Sequence, residues 1–367
     1  MTQAADPRAT WRALLASGHF GEYVLLCSGI LLHASDTLVT ATLMPAAVAQ
    51  IGGVAYINWT IALYQIGSII MGATGGTLAR RHGLRALFVA GAVVYALGCF
   101  IAALSPHMAA MLVGRLVQGL GGGLMLSLSY LAVQLLFPRT LWPKVYALSA
   151  AIWSLACLSG PLIGGLFADA GLWRGAFWVF GLPALALSLA AARYLRTAQP
   201  AIDDGSSISW PALAWLTSAV LAIAEAGALA QLRYSLPLGC AGAAMLALAA
   251  IADRGASQHL FPRQLTELRT AVGQGLLMVA ALSAGTTAFW AYGPLVLKVA
   301  FSIDPLVPGI LMAVESLLWS VATIVVTTMH GDETVCIRSG VAIAALGAAG
   351  LAVAMPLGSL AGIGVCL

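Results

Sequence analysis

Asp36 and His33 are the first residues in this chain whose types and spacing could do chemistry. Asp36 lies about 14 residues into an apolar run that begins near residue 22, so on a helix it sits roughly 21 Å along the axis. His33 precedes it by three positions and shares its face. A carboxyl group kept from water has its ionised form disfavoured, which lets it take up and release a proton instead of staying charged. That is the chemistry of a proton-coupling site. The alternative is a structural Asp held by the nearby hydroxyls of Thr37 and Thr40. His33 likewise has two readings, a second proton carrier or an interhelical hydrogen bond.

Arg115 is the one Arg or Lys inside an apolar run, and a cation there needs an internal partner; Asp36 and backbone carbonyls are the two options. Gln118 follows three positions later, a candidate substrate contact, and Gly119, Gly121, Gly122 and Gly123 thin the same helix so that a neighbour can come close. Glu315 is a further buried acid, read either as proton-coupling or as structural, while Glu225 suits a structural hydrogen bond. Gln274, Trp290 and Tyr292 are candidates for lining a substrate cavity. The six cysteines stand singly in apolar runs with no metal-ligand or redox spacing, and no nucleophile, phosphate-binding loop or cofactor motif is found. No metal, no cofactor and no enzymatic activity are expected.

The elements that must position these residues follow from composition. Hydrophobic residues make up 61% of the 367 and charged residues 8%, which excludes an ordinary soluble domain. Apolar stretches of roughly 20 residues recur, each long enough to cross a hydrocarbon core of about 30 Å as a helix. The reading is an all-α polytopic membrane protein with spans near 22–50, 57–78, 84–104, 107–136, 142–169 and 174–192. Further spans are expected near 209–231, 234–252, 270–298, 304–329 and 337–355, and another begins at Leu357. With the amino terminus cytoplasmic, Arg8, Arg12, Arg80, Arg81, Arg85, Arg139, Lys144, Arg193, Arg196, Arg254, Arg263, Arg269 and Arg338 all fall on the cytoplasmic side. Only Arg174, Arg233 and Lys298 fall opposite, the asymmetry that orients membrane helices. The formal net charge of +4 is therefore an orientation signal, and nucleic acid is not an expected partner.

Leu155 to Ala168 carries a different signal. Ala156, Gly160, Gly164 and Ala168 recur every fourth position, one stripe where a neighbouring helix can approach, and Pro161 inside the run predicts a bend. A packing seam is one reading, and a seam that other helices move against is the other.

These residues together resemble the major facilitator superfamily, and within it the fourteen-helix drug:proton antiporter group. Span one is similar to the group's Asp-to-Pro signature through Asp36 and Pro45, with Ala41 where Asn is expected. Span four matches Leu-x-x-Arg-x-x-Gln-Gly-x-Gly at Leu112, Arg115, Gln118, Gly119 and Gly121. The Leu155 run resembles the antiporter motif through Gly160, Pro161, Gly164 and Gly165, with Ala156 replacing its first Gly. Trp173, Arg174 and Phe177 resemble the start of the sixth span. The loop after span two has Gly76, Gly83 and Arg85 in place, but Arg80 stands where the family's pattern has an Asp that helps lock the two bundles.

The resemblance implies two helical bundles with an inserted helix pair. Residues 1–192 would be the N-terminal six-helix bundle, 193–208 a cytoplasmic linker, 209–252 the inserted pair, 253–269 a second linker and 270–367 a partial, truncated C-terminal bundle. It also implies a proton-coupled exporter of small organic compounds, monomeric, in a bacterial inner membrane, with protons, a small molecule and the lipid bilayer as its partners. The alternatives are a proton symporter for a nutrient or siderophore and a non-transporting sensor homologue.

Overall fold

The computed structural model describes residues 11–195, 209–229, 231–255, 259–262, 264, 267, 269–283, 314, 315, 317–319, 321–326 and 333–354. In chain order the helices are α1 (Trp11–Leu15), α2 (Phe20–Ile51), α3 (Ile57–His82), α4 (Leu84–Ala103), α5 (Met108–Leu136), α6 (Trp142–Asp169), α7 (Trp173–Tyr194), α8 (Trp210–Ala228) and α9 (Leu232–Asp253). They are followed by α10 (Ala271–Ser283), α11 (Leu317–Val326) and α12 (Glu333–Ala354). Nine helical segments among the described residues are long and apolar enough to cross a membrane. The remainder of the spans expected near 270–298 and 304–329, with Trp290 and Tyr292, lies outside the described residues.

Local chemistry sets the helix ends. At α2 the chain turns out of the helix at Gly52, whose φ of 73° is open to glycine at little cost, and the Gly52 N–H still bonds the Val48 carbonyl. Gly83, φ 81°, separates α3 from α4 in the same way. His107 caps α5 by accepting the Ala110 N–H at 3.2 Å. Prolines stand in the first turns of α6 and α8, where a missing N–H costs nothing. α6 then runs without a break through Pro161, whose side is exposed while Gly160 is buried.

Two compact units are distinguished. One comprises Trp11–Val145 with Leu155–Pro262; the other holds Tyr146–Ser154 and the described residues after Arg263. In the first unit α5 packs against α2, α3 and α4, and α7 packs against α4 and α2. Its core is made by Tyr23, Leu26, Phe88, Tyr95, Met125 and Leu128, all fully buried. The pair α8 and α9 belongs to this unit, with α8 packed on α3. The apolar faces of α8 need a partner, and α3 supplies one. After α9, the buried Asp253 carboxylate accepts the N–H groups of Leu260 and Phe261 at 2.8 and 2.9 Å, which ties down the start of the expected linker.

The glycines of α5 are where neighbours come closest. A Cβ on Gly119 would collide with the Tyr64 backbone in α3, one on Gly123 with the Ser68 backbone, and one on Gly121 with the Tyr95 backbone in α4. No flexible side chain is there to give way. Gly119→Ala is expected to destabilise the protein by roughly 1–3 kcal/mol. Gly72→Ala, where nothing lies within 4 Å, should leave stability unchanged or slightly raised. Thermal unfolding of both variants in detergent checks the pair.

Candidate functional site

The site is built where α2, α3, α4 and α5 meet in the first unit. Arg115 on α5 is fully buried, and its Nη1 donates to Asp36 Oδ2 on α2 at 2.6 Å and to Gln118 Oε1 at 2.8 Å. Its Nε donates to the Thr60 carbonyl on α3 at 3.0 Å. Both partners that the sequence left open for Arg115, the acid and a backbone carbonyl, are therefore used at once. Gln118 Nε2 closes the ring by donating to Asp36 Oδ1 at 2.8 Å, and it also lies 3.1 Å from Cys99 Sγ on α4. Asp36 is 1% exposed, so both of its oxygens are bonded inside protein and neither meets bulk solvent.

An ion pair of this kind carries no net charge, yet each member alone would be a buried, uncompensated ion. The third group on Arg115 is an aromatic face. Its Cζ stands 4.3 Å from the centre of the Tyr64 ring, and Nη2 makes no hydrogen bond among the described residues. Tyr64 in turn places its hydroxyl 2.8 Å from His33 Nδ1 and 3.1 Å from the His33 carbonyl, with the two rings stacked 5.3 Å apart.

The sequence-selected residues divide accordingly. Asp36, Arg115 and Gln118 form one hydrogen-bonded ring, and His33 joins it through Tyr64. Gln118, read from sequence as a substrate contact, is 0% exposed with its amide engaged by Asp36, Arg115 and Cys99. Thr37 and Thr40 do not hold Asp36. The Thr37 hydroxyl turns back to the His33 carbonyl at 3.2 Å, as helical threonines do, and Thr40 Oγ1 makes no hydrogen bond among the described residues. Gln274 on α10 is exposed and Glu315 is half-buried, both in the second unit.

The small-residue stripe of α6 faces the helix that carries Asp36. A Cβ on Gly160 would meet Leu38 Cβ at 2.7 Å and the Ser35 carbonyl at 3.3 Å; one on Gly164 would run into the Thr42 hydroxyl and meet the Val39 carbonyl at 2.9 Å. Gly165 and Gly76 have open space around them. Arg85 donates to the Ala192 carbonyl near the end of α7, joining α4 to α7. Arg80 donates to Thr77 Oγ1 at 3.3 Å, and its buried Nε makes no hydrogen bond among the described residues. At the other end of the helices Gln50 Oε1 accepts from Trp173 Nε1 and Arg174 Nη1, both at 2.9 Å, while Arg174 Nη2 donates to the Ser105 carbonyl at 3.1 Å.

Sequence reading missed Thr60, Tyr64 and Gln50. Thr60 and Tyr64 stand four apart in α3 and so share a face, which was the available signal; which helix that face meets is a tertiary fact.

A bundle of membrane-length helices with a buried ion pair at its core defines a polytopic membrane protein. The chain belongs to the Major Facilitator Superfamily, whose family profile matches residues 25–367. It is 37% identical over 191 residues to a probable multidrug-efflux transporter of Mycobacterium tuberculosis, a match that covers 52% of this chain and 40% of that protein. It is 29% identical over 164 residues to multidrug resistance protein 3 of Bacillus subtilis, covering 45% and 32% respectively. The matched segment is thus less than half the length of these relatives. The cephamycin export protein CmcT of Amycolatopsis lactamdurans is 27% identical over 361 residues, covering 95% of this chain and 74% of that protein. Among solved structures, the proton:xylose symporter XylE bound to 6-bromo-6-deoxy-D-glucose superposes with a TM-score of 0.63 at 16% identity, covering 96% of this chain and 78% of that one. That likeness is one of fold.

Removing one member of the ring is expected to cost more than removing both. Arg115→Gln leaves an unpaired carboxylate and should destabilise by about 3–5 kcal/mol, and the Asp36→Asn, Arg115→Gln double variant should recover much of that loss. A double-mutant cycle on thermal unfolding in detergent measures the coupling.

Proposed function

We propose that this protein is a proton-coupled secondary transporter that exports small organic compounds by alternating access. The observation that carries the reading is the buried Asp36–Arg115 pair. When Asp36 takes a proton, the Arg115 charge loses its counter-ion inside an apolar core, so the proton changes the free energy of keeping α2, α3 and α5 in this arrangement. A rearrangement that readmits water to Arg115 relieves that cost, and proton release restores the ring. The α6 stripe on α2 then supplies a close, side-chain-poor surface next to the element whose charge changes.

Export as the direction is supported by the names of the relatives, which include multidrug-efflux and antibiotic-export proteins. Two bundles with a substrate path near the bilayer midplane, a cytoplasmic amino terminus and a bacterial inner membrane complete the reading. Glu315 is a second acid for coupling, and Gln274, Trp290 and Tyr292 are the substrate contacts. Gln118 is assigned to holding Asp36. Arg80, in place of an acid, favours one second reading, a homologue that binds compounds and does not move them.

In the full chain reconstituted in vesicles, Asp36→Asn is expected to lower ethidium efflux driven by an imposed pH gradient at least tenfold, with ethidium binding retained. Undiminished efflux would overturn proton coupling at Asp36. Ethidium binding by the unaltered protein with no efflux would favour the second reading. A single cysteine at Ser206 in a cysteine-free background should react with an impermeant maleimide only from the cytoplasmic side.

A further inference from the structure

The ring around Asp36 leaves one titratable group unexplained. His33 is 4% exposed, one turn from Asp36, and is held by the Tyr64 hydroxyl, which has the His33 Nδ1 and carbonyl as acceptors in reach and the Thr37 hydroxyl as a further partner. A tyrosine hydroxyl has one proton to donate. When His33 Nδ1 is unprotonated, the Tyr64 hydroxyl can donate to it at 2.8 Å. When Nδ1 carries a proton, that N–H donates to the same oxygen, and the hydroxyl turns to the His33 carbonyl at 3.1 Å. Both protonation states are satisfied without moving a heavy atom.

We propose that His33 and Tyr64 form a second proton-holding site, in which rotation of the Tyr64 hydroxyl accommodates the proton on His33 and the Tyr64 ring links it to Arg115. The inference rests on the proton-coupled reading and adds a second group to it. In the step itself an O–H bond of a hydronium ion breaks as an N–H bond forms at Nδ1, water is released, and the phenol keeps its own hydrogen. Among the described residues, the titratable or charged groups around the pair are Asp36 on α2, Tyr95 and Cys99 on α4 and Arg115 on α5. Tyr95 is engaged by the Leu32 carbonyl at 3.3 Å and Cys99 by Gln118. Arg115 lies over the Tyr64 ring, its Cζ 4.3 Å from the ring centre. A proton on Asp36 and one on His33 therefore both act on the same cation, and the two sites are antagonistic. Gly122 on α5 keeps the space open: a Cβ there would come within 2.7 Å of His33 Nδ1 and 3.0 Å of the Tyr64 hydroxyl.

The test is ¹⁵N imidazole spectroscopy of the full chain in lipid nanodiscs, with the His33 signal assigned by its loss in His33→Gln. Between about pH 8 and pH 3 His33 is expected to pass from a neutral toward a doubly protonated ring. Tyr64→Phe, which keeps the ring beside Arg115 and removes the hydroxyl, should move the midpoint by roughly half to one pH unit. Gly122→Ala should move it as well, and Asp36→Asn should move it through Arg115. A His33 ring that stays in one state over the whole range, or a midpoint that ignores both Tyr64→Phe and Gly122→Ala, overturns the proposal. The spectra require no transport, so a failure here is separate from a failure of the efflux test at Asp36.

Discussion

Everything in the first unit is constrained by one electrostatic fact: a guanidinium and a carboxylate have been taken out of water together. Neither ion is tolerable alone at that depth, and 2.6 Å between Arg115 Nη1 and Asp36 Oδ2 makes the pair neutral as a whole. That requirement fixes α5 beside α2. The remaining valences then recruit α3 through the Thr60 carbonyl and the Tyr64 ring, and α4 through Cys99 beside Gln118. Four helices are thereby registered to one another by polar contacts that lipid cannot replace.

Packing makes that register possible. Hydrogen bonds of this length across helix interfaces need backbones closer than ordinary side chains allow, and α5 meets the need with Gly119, Gly121, Gly122 and Gly123 turned to three different neighbours. α6 uses the same device against α2 at Gly160 and Gly164. The contrast between the two seams is chemical. The α5 seam is held by charge and hydrogen bonds, while the α6 seam meets α2 through Leu38, Val39 and Thr42. Under the proposed alternating access, moving one group of helices past another would draw on both kinds.

Membership of the Major Facilitator Superfamily accounts for the order of these devices along the chain, and the relatives named for drug efflux and antibiotic export give the exporter reading its direction. Arg80 remains the departure. In the structure it leans on Thr77 within its own helix, and the link between α4 and α7 is made by Arg85 to the Ala192 carbonyl instead. The clasp of Gln50 with Trp173 and Arg174 binds α2 to α7 at the far end, so the first unit is tied at both ends by arginines that bond neutral oxygens.

Sequence alone determined that the chain is a set of membrane helices, because a hydrocarbon solvent writes its thickness directly into the length of apolar runs. It also singled out Asp36, Arg115 and Gln118, since ionisable residues are rare enough in such runs to be conspicuous. It could not decide what Gln118 touches, that Thr37 and Thr40 stay out of the ring, or that Tyr64 stands between Arg115 and His33. Periodicity reports which residues share a face of one helix, and it is silent about which face of which other helix comes to meet them. Those assignments depend on contacts between residues 31 to 82 positions apart, which only the packed tertiary structure brings together.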